Sequence, residues 1–259
     1  MSNRGKNEKI SVCIICGNEI ANIERCLKSV TWADEILVLD SFSTDGTYDV
    51  ACKYTDKVFR HEWLGYIGQK KLIAEKAAGP WILFVDADEE VSDKLRSEIE
   101  ERFSKPLPED VHGFNCPRLV YYLGRWIWHG DWYPDMKLRL FRKEFGECGG
   151  QEPHDRIIVD GKVLNLKGPL NHYTYDDITD QIKQINRFSS ISADTNRSKR
   201  VGIVRLLLHP FYRFLKCYFI KGGFLDGIPG LIIAVNVSFG TFVKYAKLWD
   251  LRRGQNAKK

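Results

Sequence analysis

Residues 81–93 read WILFVDADEEVSD, a run of apolar residues that ends abruptly in acids. Trp81 to Val85 have the length and composition of a buried strand. Asp86, Asp88, Glu89 and Glu90 then crowd its exit, and like charges at that spacing repel one another unless a cation or a positively charged partner meets them. Something outside the chain is expected to complete the site.

Upstream the same strand-then-helix unit recurs. KISVCIIC (9–16) is a short β-branched run, and NEIANIERCLKS (18–29) follows with Ile20, Ile23, Cys26 and Leu27 at helical spacing. EILVLD (35–40) predicts a second strand, SFSTDGT a turn-rich loop, and a helix is expected to about Tyr54. A third short strand is expected at 56–60, then a helix over 66–78 stopped by Gly79-Pro80. This alternation predicts an open α/β sheet, whose ligands collect at the carboxyl ends of the strands, where Asp40, Ser41 and Asp86 to Asp88 all fall. From about Val111 the pattern turns to extended stretches, GFNCPRLVYYL, KLRLFRK and RIIVDGKVLNL, the last with a D-G turn at Asp160-Gly161. After Asp176 helix returns.

The 259 residues can bury one substantial core, and 44% hydrophobic with 28% charged excludes a disordered chain. Seven scattered cysteines and no secretory leader pattern predict a reducing cytoplasm. Cys13 and Cys16 form a C-x-x-C, but inside an apolar strand they read as packed thiols rather than a redox pair. The net charge of +5 hides a split. From Arg187 to the end fourteen Lys and Arg face three Asp and Glu, a net of +11 that leaves −6 for the rest. Such a basic segment implies an anionic partner.

That segment is also apolar. Residues 201–220 carry two Arg, one Lys, one His and a Pro, too polar for a simple membrane span, and residues 222–243 carry Asp226, Pro229 and five glycines. Basic residues mixed with Phe, Tyr, Trp and Leu predict helices lying on a phospholipid surface; packing against the domain or a partner subunit is the plainer alternative.

Asp86-Ala87-Asp88 is a D-x-D. In an extended chain both carboxylates would project from one face about 7 Å apart, able to share one Mg²⁺ or Mn²⁺ that would in turn hold a diphosphate. Ser92 and Asp93 could equally cap a following helix.

Three stretches in order, SVCIICGNE, CLKSVTWADEILVLDSFSTDGT and QKKLIAEKAAGPWILFVDADEE, resemble the inverting family 2 glycosyltransferases of the GT-A fold over residues 9–95. HGDWYPDMKLRLFRK, EPHDRIIVDG, LNHYTY and FLKCYFIKGGFLDGIPGLIIA are similar to the branch that glucosylates the lipopolysaccharide inner core. The resemblance implies a Rossmann-like fold with a mixed central sheet. Residues 1–110 would form the nucleotide-sugar half, 111–200 the acceptor half and 201–259 a basic amphipathic helical extension. It implies a UDP-sugar donor, a lipid-linked saccharide acceptor and a divalent ion; the basic, aromatic C-terminal segment adds the expectation of a cytoplasmic enzyme peripheral on the inner face of the cytoplasmic membrane, and with no RNP or zinc-ligand pattern no nucleic acid partner is expected.

It also implies roles. Asp40 would accept from the N3–H of uracil, or else open an Asx-type turn; Glu19 would lie near the nucleoside, or serve the first helical turn. Lys70 would reach the nucleotide. Asp88 would hold the ion, and Asp86 would help through the ion or the sugar. His172 would complete the metal shell or contact the diphosphate, or be a packed histidine. Asp155 would be the base that deprotonates the acceptor, with Glu152 the alternative and His154 orienting either; a surface ion pair is the competing role for Asp155. Apart from the resemblance, the aromatic run LGRWIWHGDWYPD predicts that Trp126, Trp128 and Trp132 stack on acceptor sugars, at least one being structural. The competing functions are a non-catalytic transferase-like protein that binds membranes or nucleic acid, and the same chemistry on an undecaprenyl-linked, capsule or protein acceptor.

Overall fold

The computed structural model describes residues 8–151, 154–175, 177–197 and 201–256. The chain divides into two compact units, Met1–Arg118 with Asp135–Tyr173, and Leu119–Pro134 with Thr174–Lys259.

The first unit is built on the expected alternation. Strand β1 (Ile10–Cys16) is buried along its whole length and is followed by helix α1 (Ile23–Ser29). The helix begins later than its apolar spacing suggests, because Asn18 takes a left-handed φ of 56° and residues 19–22 form turns before Ile23. Next come β2 (Glu35–Asp40), α2 (Thr47–Ala51), β3 (Val58–Arg60), α3 (Gly65–Lys76), β4 (Trp81–Asp86) and the short β5 (Glu89–Val91). Ser92 does cap α4 (Asp93–Arg102), its hydroxyl accepting from the Leu95 amide. The extended stretches become β6 (Val111–Tyr122), β8 (Asp135–Arg142), β9 (Gly146–Gln151), β10 (His154–Val159), β11 (Lys162–Asn165) and β12 (Leu170–His172).

The strands β3-β2-β1-β4 pair in parallel, and β8 then adds antiparallel to β4, so the sheet is mixed. β6 lies beyond β8, then β12 and β5, with β11 parallel to β6. Trp81, Phe84, Phe114 and Phe141 are fully buried around this sheet, each contributing about 1.5–3 kcal/mol of transfer free energy.

The chain turns at Asp160-Gly161 as expected, but the strands on either side of the turn do not pair with each other. β10 pairs antiparallel with β9, while β11 leaves the turn to lie against β6. Gly161, at φ +127°, lets the chain part there, and a Cβ on it would sit 2.1 Å from the His112 ring. Cys13 and Cys16 are buried, unbridged strand residues whose thiols burial pushes well above the ordinary range.

The second unit carries the end of β6, its partner β7 (Arg125–Ile127), and helices α5 (Ile178–Thr195), α6 (Ile203–Leu215) and α7 (Gly227–Asn256). Its core gathers Val120, Tyr122 and Ile127 against Cys217, Ile233 and Ala234. Pro229 is accommodated in the first turn of α7, where an amide would have no helical partner. By length and composition this helix could cross a membrane.

Candidate active site

The carboxyl ends of β1, β2 and β4 open into a pocket of about 400 Å³. Ile15 to Glu19, Ser41 and Asp86 to Asp88 line it, with His172, Trp63 and Tyr66. The last two were not singled out in the sequence; their rings meet edge to face at 4.9 Å, both exposed.

The four acids at the exit of β4 have separate fates. β4 ends at Asp86 and the chain turns through Ala87-Asp88, so the D-x-D is not extended throughout and its carboxylates do not project side by side from one strand. Asp86 accepts from Arg139 at 2.6 Å and pairs with Lys70 at 3.0 Å. Glu89, fully buried, accepts from the same Arg139 at 2.6 Å and from the Asp86 amide at 3.0 Å. Glu90 accepts from the Asn171 amide group at 3.0 Å and the Tyr173 hydroxyl at 3.1 Å. Asp88, which lines the pocket with Asp86, lies beside a histidine, its Oδ2 3.1 Å from His172 Nε2. The pairing of β12 with β5, His172 opposite Glu89, delivers that imidazole, and the Tyr173 amide donates to the Asp88 carbonyl. His172 Nδ1 is buried and has no hydrogen-bond partner among the described residues.

Much of the positive partner that the acids require is thus internal. Arg139 was missed because an arginine in KLRLFRK reads as the polar face of a strand; its signal was a cation flanked by Leu138 and Leu140 beside the acid-bearing strand. Burial would raise the Asp86 carboxyl, but Arg139 and Lys70 overcome it and hold the group well below the usual carboxylate range. For Glu89 burial outweighs Arg139, with Asp86 and Asp88 adding repulsion, and its carboxyl is raised. Burial acts to lower Lys70, yet Asp86 and Asp155 carry it above the ordinary lysine value.

Lys70 is almost wholly buried and bridges Asp86 to Asp155, whose Oδ2 it reaches at 2.8 Å. Asp155 is thus ion-paired not at the surface but with the nearly buried Lys70, which links β10 to α3 and β4. Glu152 and the side chain of His154 lie outside the described residues. Asp40 is fully buried; it accepts from the Ser43 amide at 3.1 Å and pairs with Arg60 at 3.3 Å, and its neighbour Ser41 lines the pocket instead. The turn role is thus visible. Glu19 lines the pocket while its carbonyl accepts from Asn22 and Ile23 to start α1, and its carboxylate accepts from Asn22 at 3.0 Å.

The three tryptophans belong to the second unit. Trp132 packs on its core between Tyr122 and Tyr175 and is structural. Trp126 meets Tyr121 edge to face, and Trp128 is exposed next to Tyr133.

The family description Glycosyl transferase family 2 matches residues 11–158, which contain every pocket residue except His172. The chain belongs to glycosyltransferase family 2. The enzyme is 32% identical to an uncharacterised glycosyltransferase of Rickettsia prowazekii, with 94% of this chain and 88% of the relative covered. It is 30% identical to the lipopolysaccharide core biosynthesis glycosyltransferase LpsC of Rhizobium meliloti, covering 93% and 92%. Among solved structures it is similar to a Pyrobaculum calidifontis mannosyltransferase in complex with GDP-Man and Mn²⁺, at TM-score 0.51 and 12% identity, over 97% of this chain and 90% of that one. The family 2 transferase thus has the expected GT-A arrangement, a mixed α/β sheet followed by a long C-terminal helix.

Proposed function

We propose that the enzyme transfers a hexose, glucose from UDP-glucose, with inversion at the anomeric carbon onto a lipid-linked saccharide such as the heptose of the lipopolysaccharide inner core, at the inner face of the cytoplasmic membrane. The observation that carries this reading is the Asp88–His172 pair, side by side in a pocket at the carboxyl edge of the parallel strands. The name of the Rhizobium relative supports the acceptor class.

No cluster of three or more His, Cys, Asp or Glu suited to an ion exists among the described residues. Asp88 and His172 supply two ligands, a hard carboxylate oxygen and an imidazole nitrogen, which fit Mg²⁺ or Mn²⁺ if donor oxygens fill the other positions. Such an ion, when bound, neutralises charge growing on the departing diphosphate. Trp63 and Tyr66 offer ring faces to the base or the sugar. Asp40 and Glu19 act on the nucleoside by shaping the loop that bears Ser41 and the start of α1. Asp155 takes the proton of the acceptor hydroxyl as that oxygen attacks, and Lys70 fixes the orientation of its carboxylate. Asp86 holds Lys70 in place from the other side.

Transfer from UDP-glucose with Mn²⁺ or Mg²⁺, read by NMR of the product anomer, tests this. Wild type should give the inverted linkage, and Asp88→Ala should lose about a hundredfold in rate while folding normally. Calorimetry that finds neither UDP nor the ion bound would overturn the reading.

A further inference from the structure

Unit 2 departs from the ordinary surface of a soluble protein. On α7 Ile228, Leu231, Val235, Phe239 and Phe242 are all exposed, and steps of three and four residues put them on one stripe. On α6 Ile203, Leu207 and Phe211 do the same, Ile203 being 72% exposed. The intervening segment leaves Phe219, Ile220, Phe224 and Leu225 in solvent, Ile220 again 72% exposed. Exposed apolar side chains in this number and spacing mark an interaction site.

We infer that these faces form one lipid-binding surface that seats in the headgroup layer of an anionic bilayer, with α7 lying along the membrane rather than crossing it. Charge selects the occupant. Arg205 is exposed in this segment, and the region from Arg187 onward carries a net +11, which complements anionic lipid and repels a second copy of itself. The rest of α7 is tied to α5 and α6 by polar bonds: Asn236 donates to Gln181 at 2.5 Å, Lys247 to the Asn186 carbonyl at 2.7 Å and Ser189 at 2.9 Å, and Ser238 to the Pro210 carbonyl at 2.9 Å. A spanning helix would have to break those bonds or carry the polar groups into hydrocarbon.

The aromatic loop is fastened to the same element. Buried Asp226 accepts from the His129 amide at 2.8 Å and the Trp128 amide at 3.4 Å, while Arg213 and Lys221 hold Asp131 at 2.6 and 2.9 Å. Lipid contact through the α6–α7 segment therefore fixes exposed Trp128 near the bilayer. The inference does not depend on the reaction proposed above.

The test is flotation of the full chain with phosphatidylcholine vesicles, with and without phosphatidylglycerol. Wild type should float with the anionic vesicles, lose binding in high salt, and be released by alkaline carbonate. Ile220→Glu/Leu225→Glu, and separately Ile228→Glu, should lower the partition roughly tenfold or more with unchanged circular dichroism and melting. Met136→Glu, an exposed apolar position in unit 1, should change nothing. The inference fails if wild type ignores anionic vesicles or if the variants float equally well. It fails too if carbonate leaves the protein embedded, or if lipid-free wild type is a dimer that the same substitutions dissociate.

Discussion

The two units break opposite rules of side-chain placement. Around β4 the first unit buries charge: Lys70, Arg139 and Glu89 are each less than a tenth exposed. Around α6 and α7 the second unit leaves large apolar side chains in water. The first anomaly is resolved inside the chain, since each of these three has a counter-charge within 3.0 Å. The second has no internal resolution among the described residues. A buried ionic network fixes geometry, whereas an unpartnered apolar face requires something outside.

The sharpest way to break this comparison is at Arg139. Arg139→Met should cost about 3–5 kcal/mol in urea unfolding, because Asp86 and Glu89 lose their shared cation, and Glu89→Gln added to it should restore part of the loss. Lys70→Gln should cost less, about 1–3 kcal/mol, since Asp86 and Asp155 are only partly enclosed, and it should depress transfer more than it depresses stability.

The network also predicts a pH dependence. Asp86 is held below its unfolded value near 4, so its stabilisation is present in full above that pH and is lost as pH falls through the lower folded value. The melting-temperature gap between wild type and Asp86→Asn should therefore be widest near neutrality and close progressively below about pH 4. At the other end of the scale, Ile228→Ser should shift unfolding by no more than about 0.5 kcal/mol while weakening lipid binding, because a side chain 74% exposed contributes little to the fold.

Most of the first half was legible because strand and helix there are local patterns. EILVLD became the strand Glu35–Asp40, and the acids of 86–90 stood where a parallel sheet collects ligands. The Asp160-Gly161 turn was legible too, but not the parting of its strands, since partner choice is made by β9 and β6, both distant in sequence. Trp63 and Tyr66 were passed over because an aromatic pair where a loop enters a helix has no periodicity to reveal which cavity it lines.

Taken alone, the amino-acid order determined the alternating α/β plan, the acidic rim and the basic, apolar end, because apolar period, turn residues and charge are properties of neighbours along the chain. Only the tertiary structure decided which acids meet an internal cation and which meets a histidine. Arg139 reaches Asp86 because β8 adds beside β4, Lys70 reaches Asp155 across 85 positions, and His172 meets Asp88 because β12 pairs with β5. Such pairings follow from strand order, and a carboxylate's chemistry from the cation that strand order sets next to it.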